Sequence, residues 1–146
     1  ARVSCFATLH VRNPQFEQVR AEFRVRLRDG VDETFHVNQL KREITEFLSP
    51  WAYRSDARPK FNGRIHSSVL VDFIEERAYV DYVTDLRLFR LLPGATADGP
   101  PLDEVTGSRA VSILVSVPAA EHRVAVITAD DLVVAGGDCG CAEAVK

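Results

Sequence analysis

The side chains best suited to metal or redox chemistry are three cysteines, Cys5, Cys139 and Cys141, and four histidines, His10, His36, His66 and His122. Cys139 and Cys141 are separated by one residue, the third cysteine lies near the other end, and His122 is the nearest imidazole. A structural zinc site usually needs four ligands, in pairs such as C-x2-C. The spacing therefore predicts two free thiols and no metal site. None of the histidines sits in an H-E-x-x-H pattern or beside a nucleophile motif. A Cys5–His dyad assembled in space stays open as an alternative, against the plainer reading of a strand cysteine as a small core residue. Asp72, Glu75 and Glu76 fall at i, i+3 and i+4. They therefore share one side of a helix, where they form either an acid–base set or a solvated acidic edge. Glu75 and Glu76 stand near the helix C-terminus, against its dipole. That cost predicts a compensating donor: Arg77, Arg64, Arg54 or a backbone N–H. No Gly-rich phosphate loop is present, and Gly136-Gly137 lacks the strand–helix context that would give it that meaning. No cofactor is expected.

Two further groups suit binding. Arg20, Glu22, Arg24, Arg26 and Arg28 alternate with Val19, Ala21, Phe23, Val25 and Leu27. This period of two predicts a strand with a buried apolar face and a wet, arginine-rich one. The wet face is either plain solvated surface or a basic patch for an acidic neighbour. Pro50-Trp51-Ala52-Tyr53 comes directly after a helix end. Trp51 there either closes the core over the helix terminus, which is the expectation, or anchors a partner. Arg24, Arg26, Arg28, Trp51 and Tyr53 are accordingly the candidate interface residues.

The pattern of the chain predicts the elements that position these groups. Residues 4–12 form a first strand, broken by Asn13-Pro14. The alternating strand ends at the Asp29-Gly30 turn, and Asp32 or Thr34 caps the helix beyond it. In that helix Val37, Leu40, Ile44, Phe47 and Leu48 recur at helical spacing up to Ser49-Pro50, over about three or four turns. Residues 52–63 read as a polar loop. A second helix, capped by Ser67 or Ser68 or beginning at Ile65, runs to Glu76, with Val69, Phe73 and Ile65 on one stripe and Leu70 and Ile74 beside it. Strand character returns over 79–91, with Val80, Tyr82, Leu86 and Leu88 inward. The Gly- and Pro-rich stretch 93–108 reads as a long excursion of the kind that often carries function. Val111, Ile113, Val115 and Val117 form a strand, turned at Pro118 to Glu121, with Val124 and Val126 as its hairpin partner. The tail from Asp130 is expected to be loosely held.

Bulk composition sets limits on all of this. The 146 residues suit one domain. With 46% hydrophobic and 27% charged residues the chain can form a core without disulfides. A net charge of -3 argues against a general nucleic-acid partner. No apolar run approaches the roughly 20 residues of a membrane span, and the first ten residues lack signal-peptide architecture. The protein is therefore expected to be cytoplasmic at synthesis and not inserted in a membrane. The sequence contains no Met, so either an initiator was trimmed or the chain is a piece of a longer polypeptide.

The ordered set of Asn13-Pro14, the alternating strand, Asn38-Gln39-Leu40 and Phe47-Leu48-Ser49-Pro50-Trp51 resembles the C-terminal region of the baseplate J-like proteins. The resemblance continues through Phe61-Asn62-Gly63-Arg64-Ile65, Phe73-Ile74-Glu75 and Tyr79-Val80-Asp81-Tyr82-Val83, over roughly residues 8–90, with a weaker echo in Ile113-Leu114-Val115-Ser116. Those proteins are wedge components of contractile phage tails and related extracellular injection systems. The resemblance implies assembly rather than catalysis. Its partners would be other baseplate, hub and sheath-proximal subunits in a six-fold particle, of which this chain would form part after synthesis. The fold expected is α+β: a mainly antiparallel sheet of four to five strands, with two helices inserted between the second and third strands and packed on one face. One domain would cover residues 1–129, with the tail at 130–146. The alternatives are a small monomeric peptide- or glycan-binding module using Trp51, Tyr53 and Tyr79, and an enzyme using Cys5 or the Asp72/Glu75/Glu76 cluster.

Overall fold

The computed structural model describes residues 11, 13–91 and 99–128. The strand expected over 4–12 lies outside the described residues save Val11, as do Cys5, most of the first half of the 93–108 stretch, and the tail with Cys139 and Cys141. The architecture is α+β, as expected, with its elements gathered around the long strand β1 (Gln15–Leu27). The period of two holds: Val19, Ala21, Phe23, Val25 and Leu27 are all buried. Strand β3 (Val80–Leu91) runs antiparallel along one edge of β1. The register shifts between Glu22 and Arg24. There β3 takes up an extra residue and Asp85 adopts a left-handed φ of 55°, the conformation a bulge often demands.

The other edge of β1 is shared by two strands. β5 (Ser112–Ser116) pairs in parallel with Gln15 to Val19, and β6 (Arg123–Val126) pairs in parallel with Glu22 to Val25. This corrects the hairpin expected for Val124 and Val126. Pro118 and the 3₁₀ turn Ala119–Glu121 carry the chain forward along the β1 edge and do not reverse it. Between the two ladders the Ala21 N–H would lack a strand partner. The His122 ring fills that place, its Nδ1 accepting from Ala21 N–H at 3.1 Å.

Helix α1 (Glu33–Leu48) begins at Asp32, whose side chain accepts from the Phe35 N–H at 2.8 Å. Leu40, Ile44 and Leu48 are buried, and Val37 and Phe47 half-buried, so the predicted stripe is the packed one. Asp32→Ala should cost about 1 kcal/mol, read as a lowered melting temperature with unchanged circular dichroism at low temperature. Pro50 then opens a separate short helix, α2 (Pro50–Tyr53), at the start of the region expected to be loop.

Strand β2 (Arg64–His66) pairs antiparallel with β4 (Glu104–Thr106). β4 lies inside the stretch expected to be an excursion. Helix α3 (Ser67–Glu75) comes after β2 without a gap. Neither Ser67 nor Ser68 caps it: His66 occupies the cap position without a side-chain bond, and the Ser67 N–H is bound to the Asp103 carbonyl. Ile65 belongs to β2, not to the helix. Leu70 and Ile74 face the core, while Val69 is 52% exposed, so the buried stripe is rotated one residue from that expected. The β2–β4 pairing fixes the angle at which α3 starts, and local periodicity carries no information about it. Phe23, Leu40, Ile44, Leu70, Ile74 and Leu88 meet in one core between the helices and the sheet. No helix among the described residues is long and apolar enough to cross a membrane.

Candidate interaction surface

The even-numbered face of β1 is less open than the alternation suggests. Arg24 and Arg28 are exposed and Arg26 is half-buried. Arg26 donates to the Ile127 carbonyl at 3.2 Å and pairs with Asp29 at 3.1 Å. The Arg28 Nε donates to the Val80 carbonyl at 3.1 Å. Arg20, expected on the wet face, is buried, its guanidinium 5.0 Å from the centre of the Phe89 ring opposite it on β3. The face thus combines positive charge with side chains already oriented by their own backbone. Pre-oriented arginines lose less freedom on contact with a partner than free ones do.

The proline–aromatic knuckle does not close the core. Leu48 ends the buried stripe, and α2 carries Trp51 out to the sheet margin. There it is half-buried and stacks on Phe16, with centroids 6.0 Å apart and 23° between the planes. Phe16 is itself 48% exposed and Tyr53 56%. Beside Trp51 lies an open groove of about 290 Å³. Leu48 and Leu114 line its buried side, Trp51, Ile65 and Val69 its walls, and Arg58, Lys60, Arg64 and His66 its polar rim. The lining comes from separated elements (the end of α1, the α2 knuckle, β2, α3 and β5), so no local motif announces it.

The acidic helix end is engaged as expected. A Glu75 Oε accepts from the Val83 N–H at 3.2 Å, covering an outward-pointing donor of β3. Glu76 lies 3.6 Å from Arg77. Arg77 is in turn stacked over Phe73, 4.4 Å from the ring centre, and 3.9 Å from Glu43. Glu43 accepts from the Tyr79 hydroxyl at 3.0 Å. Burial and the Glu43 carboxylate together push the Tyr79 hydroxyl pKa up. Among the described residues no group of three or more His, Cys, Asp or Glu side chains is placed to hold a metal ion.

Two buried polar residues belong to no motif. Glu17 shares the inward parity of Val19 and is fully buried. Parity is the available signal, since a carboxylate on the core face of a strand needs donors. Those donors are the Ser108 N–H at 3.1 Å, the Ser108 hydroxyl, and the Ser112 hydroxyl at 2.5 Å. Burial raises the Glu17 pKa, but these donors and the charge of Arg90 outweigh it and hold the carboxyl below its ordinary range. The carboxylate thereby ties the β4–β5 connection to β1. Glu17→Ala should cost about 2 kcal/mol, the scale of leaving buried donors unmet, with Glu17→Gln intermediate; chemical denaturation of the two variants measures both. His122 is the second. Its Nε2 lies 2.9 Å from the Ser116 hydroxyl. With Nδ1 accepting from Ala21, the neutral ring carries its proton on Nε2.

No protein-family model matches the chain, and no curated protein matches it. Among solved structures it is similar to part of a chain in the cryo-EM structure of the anti-feeding prophage baseplate, six-fold symmetrised. The superposition has a TM-score of 0.51 at 18% identity, and covers 73% of this chain and 20% of that one. The likeness is one of fold, and this chain matches a fifth of the baseplate chain's length.

Proposed function

We propose that this chain is a structural component of the baseplate of a contractile tail-like injection particle, making subunit–subunit contacts in the wedge. The observation that carries this reading is the fold shared with the anti-feeding prophage baseplate chain over 73% of the residues. The residue pattern that resembles baseplate J-like proteins supports it from the sequence side. Its partners are neighbouring baseplate, hub and sheath-proximal subunits, in the six-fold setting that the solved relative has. Arg24, Arg26 and Arg28 offer a basic strand face, and Trp51 and Tyr53, with Phe16, an aromatic margin. Aromatic residues and arginine are the types that dominate interface energetics.

The test is imaging of particles assembled with and without the chain, alongside co-purification with the other tail proteins. Density for this fold at the baseplate, and loss of co-purification on Arg24→Glu/Arg28→Glu, are the expected results. Particles that assemble without it and never carry it sink the proposal. The monomeric binding-module reading has one observation in its favour, the groove beside Trp51. Tyr79 takes no part there: its ring stacks on His36 at 4.6 Å and its hydroxyl is bound to Glu43.

A further inference from the structure

The groove beside Trp51 has an edge that remains unpaired. Antiparallel strands alternate residues whose N–H and C=O face the partner with residues whose groups face away. The Gly107 N–H donates to the Gly63 carbonyl, and the Ser67 N–H to the Asp103 carbonyl, on either side of the Ile65–Val105 pair. Gly63, Ile65 and Ser67 therefore face β4. The Arg64 N–H and C=O and the His66 N–H turn the other way, and no backbone bond among the described residues reaches them. β2 itself borders the groove. Leu48 and Leu114 are its buried apolar lining, with Trp51 and Val69 as partly open apolar walls.

The charge at the mouth is one-sided. Arg58 and Lys60 rise at the rim, and no carboxylate among the described residues lines the groove. Glu104, on β4, lies 3.6 Å from Arg64 and 3.5 Å from His66, so the positive charge left over is that of Arg58 and Lys60. This is a local basic rim on a chain of net charge -3. Unpaired strand donors, apolar walls and a basic mouth are the three elements of strand addition, in which main-chain bonds give affinity and alternate side chains give selectivity.

We propose that this groove takes an extended segment of another polypeptide, alternating apolar and acidic side chains, which adds as a strand to the open edge of β2. The apolar side chains enter between Trp51 and Val69, and the carboxylates meet Arg58 and Lys60. This does not rest on the baseplate reading and stands or falls on the isolated chain.

Trp51 is the single tryptophan, so its emission reports on the groove directly. The probe is a synthetic peptide alternating valine or leucine with glutamate, compared with the same peptide carrying lysine for glutamate. The expected result is a shift in Trp51 emission with the acidic peptide, and slowing of Arg64 and His66 amide exchange by at least about tenfold at saturation. The Arg58→Glu/Lys60→Glu variant, altered only at rim positions, should weaken the acidic peptide about tenfold and bind the lysine peptide instead. Overturning results are equal binding of the two peptides, no binding of either, or unchanged Arg64 and His66 exchange on binding. Tighter occupation by a single-stranded oligothymidylate would overturn it as well, since the occupant would then be nucleic acid.

Discussion

Acidifying the protein from pH 7 to pH 4 is expected to remove about 3 kcal/mol of folding stability through His122 alone. The ring is 1% exposed. Burial, with the nearby charges of Lys41 and Arg20, lowers its pKa from 6.5 to about 4. Protonation at Nδ1 would also break the bond from the Ala21 N–H. The sign is set by which state binds the proton first. Above pH 6.5 the ring is neutral in both folded and unfolded chains and there is no penalty. Below pH 6.5 the unfolded chain takes up a proton that the folded chain refuses until about pH 4. Each pH unit in that window costs about 1.4 kcal/mol, and the loss levels off below it. Buried carboxylates such as Glu17 add their own acid sensitivity, so the measurement is a difference. His122→Asn retains an acceptor for Ala21 and does not titrate. Urea denaturation of both proteins at several pH values should give curves that converge as pH falls from 6.5 to 4. Parallel curves would show that the imidazole is not the group titrating.

Phe23→Ala should cost about 3–5 kcal/mol, the usual range for truncating a buried aromatic ring. Phe23 is 2% exposed on β1 and stands at the register shift, where β3 passes on one side and β6 begins on the other. The cavity would open where backbone from both sides is held by its own ladder and cannot collapse inward, which favours the upper part of the range. Equilibrium denaturation should show the loss as a lowered midpoint at unchanged slope. Tyr53→Ala, on a side chain 56% exposed, should change stability by less than about 0.5 kcal/mol. That contrast separates residues kept for folding from residues available to a partner.

What the sequence disclosed divides along a physical line. Val19 to Leu27 alternate over enough residues for the period to stand out, and Asp32 sits at the one place where a carboxylate satisfies the first turn of α1. Both are local facts. The choice of strand partner is not. Val124 and Val126 look like the return of a hairpin because sequential strands usually pair. The 3₁₀ turn at Ala119–Glu121 sends them onward to β1 instead, and nothing in those residues names β1. β2 and β4 are three residues each, too short for a period, and α3 inherits its rotation from them. Trp51 departs from its expected core position for a related reason. Whether a side chain after a helix end folds inward depends on how much core remains uncovered, and Leu48 already ends the buried stripe. The groove is the least legible feature, since five elements contribute to it. Glu17 is within reach of sequence reasoning, because the same parity that marks Val19 as inward marks Glu17 as well.

The single rung between Ala21 and His122 joins residues 101 positions apart, and both ladders on that edge of β1 span a similar distance. The strand at the middle of the fold is therefore made well before the strands that complete this edge of it. Such long-range closure slows folding. Until Ser112 and the residues after it arrive, this edge of β1 lacks the two strands that the described residues place on it, and an unpaired strand edge can pair with another strand nearby. The interval between synthesis and closure is thus when the chain is most exposed to joining the wrong partner.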